Sequence, residues 1–161
     1  VTTIAVTGHM DLTDATVPLV RDALRAALKP YAAQLTGISC IARGSDSIFA
    51  ETVVELGGEL VVIVPSKDYR QNKVKKDHVE TFDRLMQAAG EVVVLEHETA
   101  NRSAYEGANR ALLQRADRLI AVWNGEPPSG KGGGTADTVV EAREAGLPVD
   151  VIWPMGAARH G

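Results

Sequence analysis

Three short stretches concentrate the residue types that chemistry uses. Residues 130–143 read "GKGGGTADTVVEAR", four glycines and a lysine ahead of a threonine and a helical pattern. "RGSD", Arg43 to Asp46, sets a guanidinium, a glycine, a hydroxyl and a carboxylate in succession. "VTGHMDL" places Gly8 and His9 just ahead of Asp11. Glycine lets a backbone approach an anion closely, and the first N–H groups of a helix are unsatisfied and partly positive. Gly132, Gly133, Gly134 and Thr135 directly precede an amphipathic helix read from about Ala136. They are therefore expected to grip a phosphate, with Thr135 capping the helix or turning its hydroxyl to the anion. Ordinary capping explains part of the second cluster, with Ser45 as N-cap and Asp46 against the helix dipole, about 1 kcal/mol each. The ligand reading adds Arg43 as a phosphate clamp and Asp46 as an acceptor for a ribose or base.

Two familiar nucleotide motifs nearly match the glycine stretch and fail. Gly125, four residues, Gly130 and Lys131 follow a phosphate-loop pattern until Gly132 stands where a Ser or Thr should bind magnesium. Pro127 and Pro128 also lack the N–H groups that such a cradle needs. The dinucleotide fingerprint puts a third glycine where Thr135 stands, and no acidic ribose partner can be placed about twenty residues on.

Magnitudes limit what the turn does alone. A helix end offers a phosphate roughly 0.3–2 kcal/mol, and each charge-assisted hydrogen bond about 1.5–3 kcal/mol. Micromolar affinity needs about 8 kcal/mol net. A base pocket, or Arg43 and Lys131 acting with the turn, has to contribute. Lys67 and Arg70, nearest the end of the third apolar run, are further phosphate candidates; Asn101, Arg102 and Tyr105 are candidates for a ribose or base contact, and His9 at the first turn is a contact candidate.

These residues need a scaffold that gathers them. At 161 residues, with 45% hydrophobic and 24% charged content, the chain is expected to form one domain over residues 1–156, with a frayed tail at 157–161. Six apolar runs, "TTIAVT", "ISCIA", "LVVIV", "VVVLE", "LIAVW" and "VDVIW", are mostly apolar on both faces, as buried parallel strands are. Helical stripes lie between them, such as Val17, Val20, Leu24, Leu28 and Tyr31. Gly37, Gly57, Gly90 and Gly146 are read as helix ends. Alternating strand and helix predict an α/β fold, a Rossmann-like doubly wound, mostly parallel sheet in three layers. Ligands of such folds lie outside the carboxyl ends of the strands. The five loops that reach that rim hold every unusual polar cluster.

The formal charge of −4 argues against broad nucleic-acid binding. Cys40 is the one cysteine, so neither a disulfide nor a thiolate metal cluster is expected, and the histidines lack metal-ligand spacing. No signal segment or membrane-length run stands out, which predicts a cytoplasmic protein without a membrane partner. No cofactor is called for.

"SCIARGSDSIFAETVVELGGELVVIVP" resembles the Ser-Gly-Leu-Ala-x-Gly-Ile-Asp segment of DprA/Smf-type DNA-processing proteins. "GGGT" before a helix resembles the Gly-Gly-x-Gly-Thr turn of LOG-type proteins, and "VTGHMDL" is similar to the Gly-His-Arg start of small SLOG or YpsA-like proteins. The resemblance implies a Rossmann-like domain for nucleotides or nucleotide-derived ligands, commonly self-associating. It marks Gly8, His9, Arg43, Gly44, Asp46, Gly133, Gly134 and Thr135. It also carries two alternatives: a LOG-like phosphoribohydrolase that splits an N-glycosidic bond, and a DprA-like nucleic-acid module. LOG enzymes place a glutamate three residues after the threonine. Thr138 stands there, which leaves Asp46 or Glu141 as the candidate catalytic carboxylate.

Overall fold

The computed structural model describes residues 1–129 and 134–160. Strands and helices alternate along them: β1 (Thr2–Gly8), α1 (Thr16–Leu28), β2 (Leu35–Ser39), α2 (Ser45–Glu55), β3 (Glu59–Val64), α3 (Tyr69–Asn72), α4 (Lys76–Ala88), β4 (Glu91–Val94), α5 (Arg102–Arg115), β5 (Arg118–Val122), α6 (Thr135–Glu144) and β6 (Val149–Ile152). Every strand pair is parallel, and the order is β4-β3-β2-β1-β5-β6. The chain builds outward from β1 to β4, then crosses back to lay β5 on the other side of β1. That reversal opens a crevice at the carboxyl ends of β1 and β5.

Alternate residues of each central strand feed two cores. Ile4 and Val6 of β1, Leu60 and Val62 of β3, and Ile120 of β5 pack with Val20, Leu24 and Leu28 of α1, Phe49 of α2 and Phe82 of α4. Ala5, Val61, Ile63 and Leu119 pack with Ala108 and Leu112 of α5 and Ala142 of α6 on the opposite face. Period-two side-chain direction turns an all-apolar strand into the filling of a three-layer sandwich. The edge strands are less covered, with Val94 and Val151 exposed.

Two local expectations are corrected. Gly37 lies inside β2 rather than past a helix end. A Cβ there would stand 2.5 Å from Val53 Cγ2 and 3.1 Å from Phe49 Cε1, so the glycine lets α2 settle onto the sheet. Gly57 and Gly146 do take positive φ after α2 and α6, whereas Gly90 does not.

The end of the described chain lies against the first turn: Leu12 and Arg159 form an antiparallel bridge, and His160 N–H donates to the Asp11 carbonyl (2.8 Å). Ala158 N–H donates to the buried Thr16 hydroxyl (2.8 Å), which donates back to the Ala158 carbonyl (3.1 Å). Thr16→Val is expected to cost about 1–3 kcal/mol by leaving the Ala158 N–H without its acceptor. Hydrogen exchange would show the Ala158 amide losing protection while the middle of α1 keeps its own. Unchanged protection at Ala158 would count against this anchoring.

Candidate functional site

A cleft of about 600 Å³ opens at the β1–β5 crevice. Its floor is Val6 to Asp11, from the end of β1 and the turn after it. Cys40, Ala42 and Asp46 come from the β2–α2 connection, Tyr69 and Lys73 from the segment after β3, and Tyr105, Ala108 and Asn109 from α5. The far wall is Trp123, Asn124 and Glu126 after β5, then Gly134 to Asp137 at the start of α6.

Gly8 ends β1 because nothing larger fits. A Cβ on it would lie 2.4 Å from Ser45 Cβ and 2.9 Å from Val122 Cβ. Ser45 is buried, and both its N–H (3.2 Å) and its hydroxyl (2.8 Å) donate to the His9 carbonyl. The N-cap of α2 is Gly44, not Ser45, so the serine ties α2 to the first turn instead of capping its own helix. His9 is held on the other side as well, its ring accepting the Asn124 N–H at Nε2 (3.1 Å) and meeting the Trp153 ring edge-on at 5.5 Å. An accepting Nε2 puts the neutral ring's proton on Nδ1. Burial, then the Arg159 charge, hold its pKa below the ordinary histidine value.

Asp46 reaches the cleft from the first turn of α2 and accepts the Ala42 N–H (3.4 Å). Burial of its carboxyl outweighs that bond and pushes its pKa up to about 7. A carboxyl with a raised pKa in a cleft is a candidate functional group. The neighbouring Ile41 sits at φ 46°, a left-handed conformation that a β-branched residue avoids. Its N–H donates to Ser39 Oγ (2.9 Å), and its carbonyl accepts from His78 Nε2 (3.0 Å). This turn carries Cys40 and Ala42 to the cleft, while Arg43 lies in a neighbouring cleft of about 540 Å³ and pairs with Asp77 of α4.

Helix α6 begins at Thr135 with Gly134 as N-cap, one residue earlier than the sequence reading, so Thr135 is not the cap. Asp137 accepts the Gly134 N–H (3.2 Å). The first intrahelical bond runs from Thr138 N–H to the Gly134 carbonyl (3.1 Å). The N–H groups of Thr135 and Ala136 therefore have no acceptor within the helix, and both residues line the cleft. Lys131, Gly132 and Gly133 lie outside the described residues. Thr138 is buried with its hydroxyl on the Gly134 carbonyl (3.1 Å), and Glu141 does not line the cleft. Of the two candidate carboxylates, Asp46 alone is on the cleft wall.

Lys67 and Arg102 also lie away from the cleft, paired with Glu98 and Glu106. Arg102 follows β4, the edge strand of the sheet, whereas Lys67 follows β3, whose loop reaches the cleft with Tyr69 and Lys73 but not with Lys67. Asn101 caps α5 by accepting the Ala104 N–H (2.9 Å). Arg159 is the residue that sequence reasoning missed. It lines the cleft from the segment after β6 and pairs with Asp11 (2.8 Å), and no motif or periodicity announces it. Among the described residues no cluster of His, Cys, Asp and Glu suits a metal ion, and no helix is long and apolar enough to cross a membrane.

No protein-family model matches the sequence, and no curated protein matches it. Solved structures share the fold. DNA processing protein A (DprA) from Streptococcus pneumoniae is 18% identical, with a TM-score of 0.69, over 96% of this chain. The chain spans 51% of that protein, about half its length. DprA from Helicobacter pylori, described for its single-stranded DNA binding mode, is 16% identical with a TM-score of 0.70, covering 98% of this chain and 68% of its own. The Moco carrier protein of Chlamydomonas reinhardtii is 18% identical with a TM-score of 0.56, covering 94% of this chain and 75% of its own. At these identities the likeness is one of fold. It is the Rossmann-like α/β fold, a parallel sheet with helices on both faces, that the alternating pattern predicts.

Proposed function

We propose that this SLOG-type domain binds a nucleotide or nucleotide-derived ligand in the β1–β5 cleft. One observation carries the reading: a ligand-sized cleft lies at the reversal of strand order, with the amino end of α6 opening into it. The phosphate sits on the turn ending at Gly134 and Thr135, and the sugar and base lie toward Gly8, His9 and Asp46. Tyr105 and Trp123 supply aromatic lining. Isothermal titration with nucleoside mono- and diphosphates and ADP-ribose derivatives is the test. Saturable binding at micromolar to millimolar ligand is expected; no heat at millimolar concentration overturns it. A mobility shift with single-stranded DNA at low salt, without mononucleotide binding, would favour the DprA-like alternative.

Asp46 gives a second reading its footing. A carboxyl in the cleft with a pKa of about 7 is suited to proton transfer at an N-glycosidic bond. Release of free base from nucleoside monophosphates, lost in Asp46→Asn, would establish hydrolase activity. Tight binding without release would leave the domain a binder.

A further inference from the structure

A phosphate on a helix end needs a cation to reach useful affinity, and the sequence points to Arg43 or Lys131. Arg43 is instead paired with Asp77 beside the second cleft. Among the described residues, the cations on the β1–β5 cleft are Lys73 and Arg159. We propose that Arg159 is the phosphate-binding residue of this site, exchanging Asp11 for the ligand's anion. The inference rests on the nucleotide reading above.

Three observations carry it. Arg159 lines the cleft, and its guanidinium already holds an anion there, the Asp11 carboxylate at 2.8 Å. Its backbone is fixed before any ligand arrives, by the bridge to Leu12, the Thr13 N–H on the Ala158 carbonyl (3.1 Å) and the two Thr16–Ala158 bonds. A side chain presented from a pinned backbone loses less freedom on binding. The ion pair it gives up is weak, because its side chains are 38% and 39% exposed. A phosphate carries more charge than a carboxylate and can engage both prongs of a guanidinium, where Asp11 takes one bond from Nε. Lys73 is a point charge on a flexible stem and lacks this bracing.

The test compares 5′-AMP and 5′-GMP with adenosine and guanosine by isothermal titration. In the wild-type protein the monophosphate is expected to bind more tightly than its nucleoside. Arg159→Gln should reduce that phosphate-dependent gain by about tenfold or more, leave nucleoside affinity in place and keep the unfolding temperature near wild type. Arg159→Lys should retain part of the gain, and Lys73→Gln most of it. Asp11→Asn frees the guanidinium and should bind the monophosphate at least as tightly. A full phosphate preference in Arg159→Gln overturns the assignment while the nucleotide reading stands. So does an Asp11→Asn loss equal to that of Arg159→Gln, which would make the pair structural only. A wild-type protein that binds none of the four probes overturns the nucleotide reading itself, and the assignment falls with it.

Discussion

Gly44→Ala is expected to lose several kcal/mol of stability. Gly44 sits at φ 80° and ψ −125°, a region essentially closed to residues with a side chain. A Cβ there would also stand 2.7 Å from the Met10 carbonyl oxygen and 2.9 Å from that of His9. Both neighbours are backbone, so relief requires moving the turn after β1. Backbone strain of about 1–3 kcal/mol and overpacking of a similar size act together. Gly57→Ala is the uncrowded comparison, because Gly57 also has a φ of 80° but nothing within 4 Å of a Cβ. It should lose only about 1 kcal/mol. Equal losses in urea unfolding of the two variants would show that the clash with the first turn is relieved at no cost.

The second large effect is a pH dependence located at Asp46. Its pKa is raised from 3.8 to about 7 in the folded protein. Below the unfolded value both states hold the proton and the burial carries no penalty. Between that value and about 7, the unfolded chain releases the proton while the folded one retains it. Stability therefore falls as pH rises through this window, by about 1.4 kcal/mol per pH unit, and levels off above it. Asp46→Asn removes the proton linkage while leaving an oxygen for the Ala42 N–H. The variant should match wild type near pH 5 less closely than near pH 4, and exceed it by a few kcal/mol at pH 8. Chemical denaturation of both proteins across that range measures the difference, in which other titrating groups cancel. A difference that stays constant with pH would remove the carboxyl from its buried setting. The same experiment bears on function, since a carboxyl half-protonated near neutrality serves a ligand both as donor and as acceptor.

Much of this was legible because local rules govern it. Runs such as "LVVIV" are apolar on consecutive residues, and a strand buried on both faces is the structure that uses them all. The start of α6 beside Gly134 and Thr135 and the place of Asp46 in the first turn of α2 follow from helix-end preferences, which act over a few residues. Arg43 shows where that reasoning stops. Its neighbour Asp46 reaches the cleft, but the left-handed turn at Ile41 and the acceptor on α4 bring Arg43 to the adjoining cleft.

By itself, then, the sequence determined the α/β class, the alternation of strand and helix, and which short turns bear polar chemistry, because periodicity and turn preference are written in neighbouring residues. Tertiary structure alone decided the strand order, and with it which turns share a crevice: those after β1 and β5 meet, while the one after β4 is stranded at the sheet edge. It also decided the burial that raises Asp46, and the arrival of Arg159 beside Asp11 from 148 residues away. Desolvation and long-range pairing depend on what the rest of the chain packs around a group, and no local pattern records that.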